Sequence, residues 1–451
     1  MTCPLFTLIL GVAVVTAGPG PGLDSEPLVA EALGLSMYLP AGSIVKTQVS
    51  DRTISYLASD PGATWTLRIS HLSPSVAGTT AQALAAEHLK AIRATGRKFR
   101  IITDEPRTAG SIQGHLLYLQ QSLDDDKRLV NGWLILPNSP RTFVVLTILT
   151  TAEEFTRLRP VLDASFESIE LRTIDDLQVQ RQARFARGRA VTSSFTADTL
   201  RSATGDRQWY RIYRPGATGR PADDTEVGFL SIECVEAMRG ELTPERSTSA
   251  YGTLESELGL MVLIEARVII NAGRKHYLDV DGRYWMSWDR AAEAWSLRRT
   301  QRMAAATRTT AETGIRDRLN LDVIHSSREQ FTRDPNRYRI PDRPYLSQPE
   351  VFMLGQLLAR DGSISGEMSF YFYDSKSRRL LERVDSWQRA RNGPAAWVLT
   401  TLPMIEAKPI TQHFDDQGRR IRRIDGDGTV TERYEPEDLK KLWQSKGLLG
   451  R

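Results

Sequence analysis

Hydrophobic and polar positions change rhythm several times along the chain. From residue 31 they alternate: Leu35, Met37 and Leu39 are separated by Ser36 and Tyr38 until Pro40 and Gly42 stop the run. Residues 53–57 and 65–71 read as a hairpin across Asp60-Pro61-Gly62. Helical spacing follows over residues 80–95, with Thr79 as N-cap, Gln82 three residues on, and Leu84, His88, Leu89 and Ile92 as the apolar stripe. Strands are predicted at 111–121, 128–136 and 142–150. A second helix at 151–166 opens with the capping box Thr151…Glu154 and turns Phe155, Leu158, Leu162 and Phe166 inward.

Between 173 and 204 the apolar period lapses. Arg181, Arg184, Arg187 and Arg189 mark residues 175–189 as a charged, solvated linker helix. From residue 205 the pattern is almost all β. Leu260, Val262, Ile264, Ala266, Val268 and Ile270 share one face of a strand long enough to be central in a large sheet. Further strands are predicted at 275–279, 283–289, 293–300, 320–326, 367–373, 379–387 and 395–402. One helix interrupts them, with Ser347…Glu350 as a capping box, Pro349 in the first turn, and Val351, Leu354, Leu357 and Leu358 as its buried stripe. The chain closes on Asp-Gly hairpins and a short helix.

Several of these pieces resemble known families. Gly34-Leu35-Ser36-Met37-Tyr38-Leu39-Pro40-Ala41-Gly42, the single long helix, the three-strand meander and a closing helix ending in Ser165-Phe166-Glu167-Ser168-Ile169 resemble the Mog1/PsbP/DcrB-like α+β sandwich. That resemblance implies a binding or assembly module and carries over no catalytic residue. Trp209-Tyr210-Arg211-Ile212-Tyr213, Glu226-Val227-Gly228-Phe229 and the mid-domain helix are similar to the curved half-barrels of the LolA and DUF3108 type. Such sheets clasp an acyl chain or a partner segment on their concave face. Phe414-Asp415-Asp416-Gln417-Gly418 is similar to one tyrosine-aspartate repeat of bacterial surface shells, and two imperfect copies read as hairpins.

The expected fold class is therefore α+β: an N-terminal Mog1/PsbP-like α/β sandwich, then a large curved antiparallel sheet with one or two helices. The division runs as a signal peptide at 1–17, a spacer at 18–28, the α+β domain at 29–172, a linker helix at 173–204 and the β domain at 205–451. A length of 451 residues suits two cores. The apolar run at residues 5–15 is too short for a membrane span, which needs ~20 residues, and ends in Val15-Thr16-Ala17, so cleavage is expected between Ala17 and Gly18. The mature protein is then exported, periplasmic or extracellular, with no membrane span. The formal net charge of +4 is thin for this length and argues against nucleic acid as a partner. Loss of the leader leaves Cys234 as the single cysteine, on a face with Leu230 and Ile232, which marks it as a buried small hydrophobe.

No catalytic motif survives inspection. Ser43-Ile44-Val45-Lys46 matches Ser-x-x-Lys without a later Lys-Thr-Gly. The six histidines show no metal-ligand spacing, and His71, His88 and His115 are expected to be structural. Asp425-Gly426-Asp427-Gly428 and Asp279-Val280-Asp281-Gly282 fail the calcium-loop order and read as hairpin turns. The aromatic cluster Tyr284, Trp285, Trp288 and Trp295 is the binding candidate. Tyr284 and Trp288 are placed on one face of a strand and Trp285 on the other, and Tyr284 and Trp288 are the expected ligand-binding residues. The expected function is a non-catalytic binding or scaffolding role in the cell envelope, without cofactor or metal. Its partner is an envelope protein or an apolar ligand. The alternatives are a periplasmic acyl carrier and a hydrolase whose active site is not sequential.

Overall fold

The computed structural model describes residues 20, 22–49, 54–76, 78–124, 127–139, 141–303, 306–327, 335–362, 364–404 and 407–448. The expected signal peptide and cleavage point lie outside these residues. The chain forms two compact units that divide between Gln178 and Val179.

The first unit holds β1 (Leu28–Ala30), β2 (Leu35–Met37), β3 (Ile44–Val49), β4 (Ile54–Ser59), β5 (Trp65–Leu72), α1 (Ala81–Ala94) and β6 (Phe99–Ala109). It continues with β7 (Ile112–Asp124), β8 (Lys127–Ser139), β9 (Thr142–Thr151), α2 (Ala152–Glu167) and β10 (Glu170–Leu171). Seven strands pair in the order β3-β4-β5-β9-β8-β7-β6, and β1, β2 and β10 form a small separate sheet. Both faces of the large sheet are covered. Leu116, Tyr118, Leu134, Leu146 and Ile148 pack with Phe155, Leu158, Leu162 and Phe166 of α2. Leu117, Leu119, Ile135 and Val145 pack with Leu84 and Leu89 of α1. This two-sided burial is why β7–β9 read as nearly continuous apolar runs.

Thr80, not Thr79, caps α1, its hydroxyl accepting from the Ala83 amide at 3.1 Å. In this unit the sequence pattern misses the short β1 and β10 and two longer strands, β3 and β6, which are the edges of the seven-stranded sheet. Residues 44–48 of β3 are all exposed, so no alternation marks them. β6 carries Pro106, which only an edge or a bulge tolerates. The Ser-x-x-Lys match lies at β3, where the Ser43 hydroxyl donates to the Pro40 carbonyl and Lys46 is exposed.

Helix α3 (Ile174–Ser194) runs through the division, and α4 (Ala197–Ser202) follows. The later turns of α3 are not a solvated linker. Phe185, Gly188 and Val191 are buried, Phe185 stacks on Tyr371, and a side chain at Gly188 would run into the Ser369 carbonyl. The strands of this unit are β11 (Gly205–Arg214), β12 (Thr225–Met238), β13 (Leu258–Asn271), β14 (His276–Ser287), β15 (Ala292–Met303), β16 (Ala306–Asp317), β17 (Asn320–Ser327) and β18 (Asn336–Arg339). After α5 (Gln348–Asp361) come β19 (Gly366–Asp374), β20 (Arg379–Arg389), β21 (Trp397–Leu402), β22 (Ile410–Phe414), β23 (Arg420–Ile424), β24 (Val430–Arg433) and α6 (Pro436–Ser445).

These fourteen strands form one antiparallel sheet, β18 to β11 in reverse chain order and then β24 to β19. The sheet curls around α5. Phe352 meets Tyr284 of β14, Gly355 lies against Phe414 of β22, and Gln348 donates to the Tyr373 carbonyl of β19 at 2.7 Å. Leu260, Val262 and Ile264 point into the same core as Leu354, Leu357 and Leu358, as the alternation along β13 predicts. Asp279-Val280-Asp281-Gly282 is not a turn. It lies inside the continuous β14, where Asp279 accepts from Arg267 and Arg302 on the neighbouring strands. Gly282 is required there because the Tyr284 ring covers it. The Asp415–Arg419 and Asp425–Thr429 segments are hairpin turns, with Gly418 and Gly428 at positive φ.

Candidate functional site

The inner face of the curled sheet is occupied by α5, and a buried polar network fixes the start of that helix. Glu293 on β15 is fully buried. One carboxylate oxygen accepts from Arg316 Nε at 2.9 Å and from the Tyr345 hydroxyl at 2.7 Å, and the other accepts the Gln348 amide at 2.8 Å. Glu350 completes the predicted capping box with Ser347 and also accepts from Arg290, whose Nη1 reaches the Thr192 carbonyl. Burial pushes the Glu293 carboxyl up, opposed by Arg316, Tyr345 and the Gln348 amide. These side chains converge, yet every hydrogen bond described is spent on holding secondary structure together.

Each predicted binding residue has a definite place. Tyr284 is buried in the core against Phe352. Burial also holds its hydroxyl protonated. Trp285 is fully buried on the outer face, beneath the 239–242 turn, and donates to the Ala237 carbonyl at 3.2 Å. Trp295 lies in the inner core and donates to Glu312 at 2.9 Å. Trp288 stands apart. β14 ends at Ser287, so Trp288 belongs to the following turn. It is half-buried, with the Arg201 guanidinium 4.8 Å above its ring. It borders a shallow surface hollow of about 500 Å³ shared with Phe195, Asp289 and Arg290. Trp288 thus packs at the margin of the core that contains Tyr284, and of the two only Trp288 borders the hollow.

A second feature on this unit has no counterpart in the sequence reading. The segment 239–257 crosses the outer face and leaves a groove of about 610 Å³ against β15 and β16, lined by Leu242, Leu254, Ala294 and Ile315 among others. Leu254 is 68% exposed and Ile315 51% exposed. Arg239 and Glu255 add charges of both signs at the groove. A lone Leu inside a Gly/Ser/Thr/Glu loop was the available signal. Its significance depends on Ile315, sixty residues away, lying beside it. The first unit has its own hollow of about 1030 Å³, lined by five threonines together with Leu149, Glu153 and Arg157 among others.

Among the described residues, one carboxylate, one histidine and one serine do gather. Glu312 is almost fully buried. It accepts from Ser375 at 2.7 Å, and its other oxygen lies 3.5 Å from His325 Nδ1. His325 Nε2 faces the Tyr373 hydroxyl at 3.2 Å. Burial lowers the His325 pKa against the pull of Glu312, and burial raises that of Tyr373, so both are neutral near pH 7. Ser375 donates to the Glu312 carboxylate and not to the imidazole.

The remaining expectations concern single residues. His115 bonds Asp104 at 2.7 Å, the Asn138 amide faces His71 at 3.2 Å, and His88 stacks on Trp133. No group of three or more His, Cys, Asp or Glu side chains is placed to hold a metal among the described residues. Cys234 is buried beside Leu230 and Ile232, and burial pushes its thiol up to about 12. A thiol reagent at pH 8 is thus expected to label native Cys234 far more slowly than the urea-unfolded chain. Cys234→Ala is expected to cost about 1 kcal/mol through a small cavity, read from urea unfolding.

Comparisons with known proteins return likenesses to solved structures. No family profile matches the sequence, and no curated protein matches it. The chain is similar to cyanobacterial PsbP (CyanoP) from Synechocystis, at 14% identity and a TM-score of 0.27, covering 36% of this chain and 98% of that one. It is also similar to a beta-barrel-like protein of a domain of unknown function, DUF1849, from Brucella abortus. That likeness has 10% identity and a TM-score of 0.32, and covers 51% of this chain and 97% of that one.

Proposed function

We propose that this chain is an exported, non-catalytic binding protein of the cell envelope that holds a protein partner in the outer-face groove of its second unit. The observation that carries the reading is where apolar surface remains. Helix α5 fills the inner face, where an acyl chain would have to lie, while Leu254 and Ile315 stay exposed outside. Small-molecule sites bury most of their ligand, and this groove is open. Apolar anchors with charges of both signs around them match the centre and rim of a protein interface. No helix among the described residues is long and apolar enough to cross a membrane.

A photo-crosslinking residue at Leu254, in the full chain expressed in envelope-bearing cells, is expected to give a discrete protein adduct that Ile315→Asp removes. The same residue at exposed Val179 is expected to give none. Saturable binding of a fluorescent fatty acid by the purified chain, with no adduct from position 254, would sink the reading in favour of the carrier. N-terminal sequencing of exported protein is expected to begin near Gly18.

A hydrolase is the second reading, and the gathering of Glu312, His325 and Ser375 is its one support. A serine-directed probe that labels wild type but not Ser375→Ala would establish it.

A further inference from the structure

Arg420, the first residue of β23, is 8% exposed, and its Nε and Nη2 have no hydrogen-bond acceptor among the described residues. Nη1 reaches only the neutral Gln412 Oε1, at a long 3.5 Å. The guanidinium lies 4.4 Å above the Tyr210 ring; the Tyr210 hydroxyl donates to Gln208 at 2.6 Å, and the phenol is the foremost polar group acting on Arg420. The other buried arginines of this unit are served differently. Arg211 has Glu226 and Asp224, Arg316 has Glu293, and Arg383 has Asp385. A guanidinium cannot shed its charge to suit burial, so an isolated one needs a counter-charge.

Arg420 borders a small cavity of about 40 Å³, together with Gln208, Tyr210, Cys234, Phe352 and Gln356. At roughly 10–15 Å³ per water on this measure, the space suits about three waters or one compact ion, and it is too small for a phosphate ester or an organic acid. The carboxylate that acts on Arg420, Asp425, is already hydrogen-bonded to Arg423. Arg423 acts on Arg420, and Arg360 in the last turn of α5 acts on Cys234, whose thiol burial keeps protonated. One exposed carboxylate, Asp206, also borders the cavity and is its competitor.

We propose that this cavity binds one small monovalent inorganic anion, a halide such as chloride, held by Arg420 Nε and Nη2. The Gln208 amide adds donors on the same wall. The ion lies where β11, β12, α5 and the β22–β23 hairpin meet, so its binding ties interior strands of the sheet to the helix it encloses.

The test uses the full mature chain. Its melting temperature is expected to rise saturably, by about 2–4 °C, when sodium gluconate is replaced by sodium chloride at constant ionic strength, because a ligand that binds only the folded state stabilises it. Arg420→Met is expected to flatten that response. Crystals of wild-type protein soaked in bromide supply a readout that does not depend on the variant folding, and an anomalous peak is expected within hydrogen-bond distance of Arg420 Nε. Water alone at that position, with no halide effect on melting, overturns the proposal. So does an Asp206 carboxylate turned onto Arg420, which would also make the halide response appear only in Asp206→Asn.

Discussion

Glu293→Ala is expected to destabilise the second unit by about 3–5 kcal/mol, the usual cost of removing one partner from a buried ion pair. The loss is large because Glu293 serves three donors at once. Without it the Tyr345 hydroxyl and the Gln348 amide at the start of α5 lose their acceptor, and the Arg316 guanidinium keeps carbonyl acceptors but loses its only ion-pair partner among the described residues, in a site closed to water. Urea unfolding followed by tryptophan fluorescence measures it as a fall in midpoint at unchanged slope. The double variant Glu293→Met/Arg316→Met is expected to recover a good part of the loss, because removing both charges also removes the cost of burying them. A double variant no more stable than Glu293→Ala would show that the helix-cap bond to Gln348, not the ion pair, dominates.

Trp285→Ala is expected to cost about 3–5 kcal/mol, as large aromatic truncations in closed cores do. Its ring is fully buried between β14 and the 239–242 turn, and its indole nitrogen bonds the Ala237 carbonyl. Losing it releases the segment that forms one wall of the outer groove. Leu254→Ser and Ile315→Ser on the same groove are expected to change stability by no more than about 0.5 kcal/mol, since exposed apolar side chains hold little of the fold together. The contrast separates architecture from binding. Trp285→Ala lowers the melting temperature and loses the partner, whereas the groove variants lose the partner at unchanged melting temperature. Groove variants that melt early would assign Leu254 and Ile315 to structure and remove the proposed interface.

Much of the fold was legible because its signals are local. The Ser347…Glu350 box, the alternation along β13 and the Asp-Gly turns near the C-terminus act within a few residues, and each formed as its chemistry demands. The α+β class followed from these signals, as did the long antiparallel sheet. Cys234 was also readable, since two neighbours on its strand face, Leu230 and Ile232, already indicate burial. Edge strands were harder, and β16, an interior strand of the large sheet, also went unread. β3 exposes its described side chains on both faces and β6 contains a proline, so neither carries the period that marks a strand.

The candidate sites were decided by tertiary structure. Alternation put Tyr284 and Trp288 on one face, but it could not show that β14 ends between them. Nor could it show that Phe352 closes over Tyr284 while Trp288 stays half-buried in a turn. The charged stretch at 175–189 looked solvated because arginine reads the same whether it faces water or a partner on a distant strand. Arg181 pairs with Glu382 and Arg184 with Glu367, about two hundred residues on. By itself the sequence determined the α+β class, most of the helices and strands, and the burial of Cys234. Those properties depend on periodicity and on hydrogen bonds between near neighbours. Only the tertiary structure placed α5 inside the curled sheet, Leu254 beside Ile315, and Arg420 at a cavity where, among the described residues, no carboxylate hydrogen-bonds its guanidinium. Those outcomes depend on which strands meet, and no local pattern encodes that.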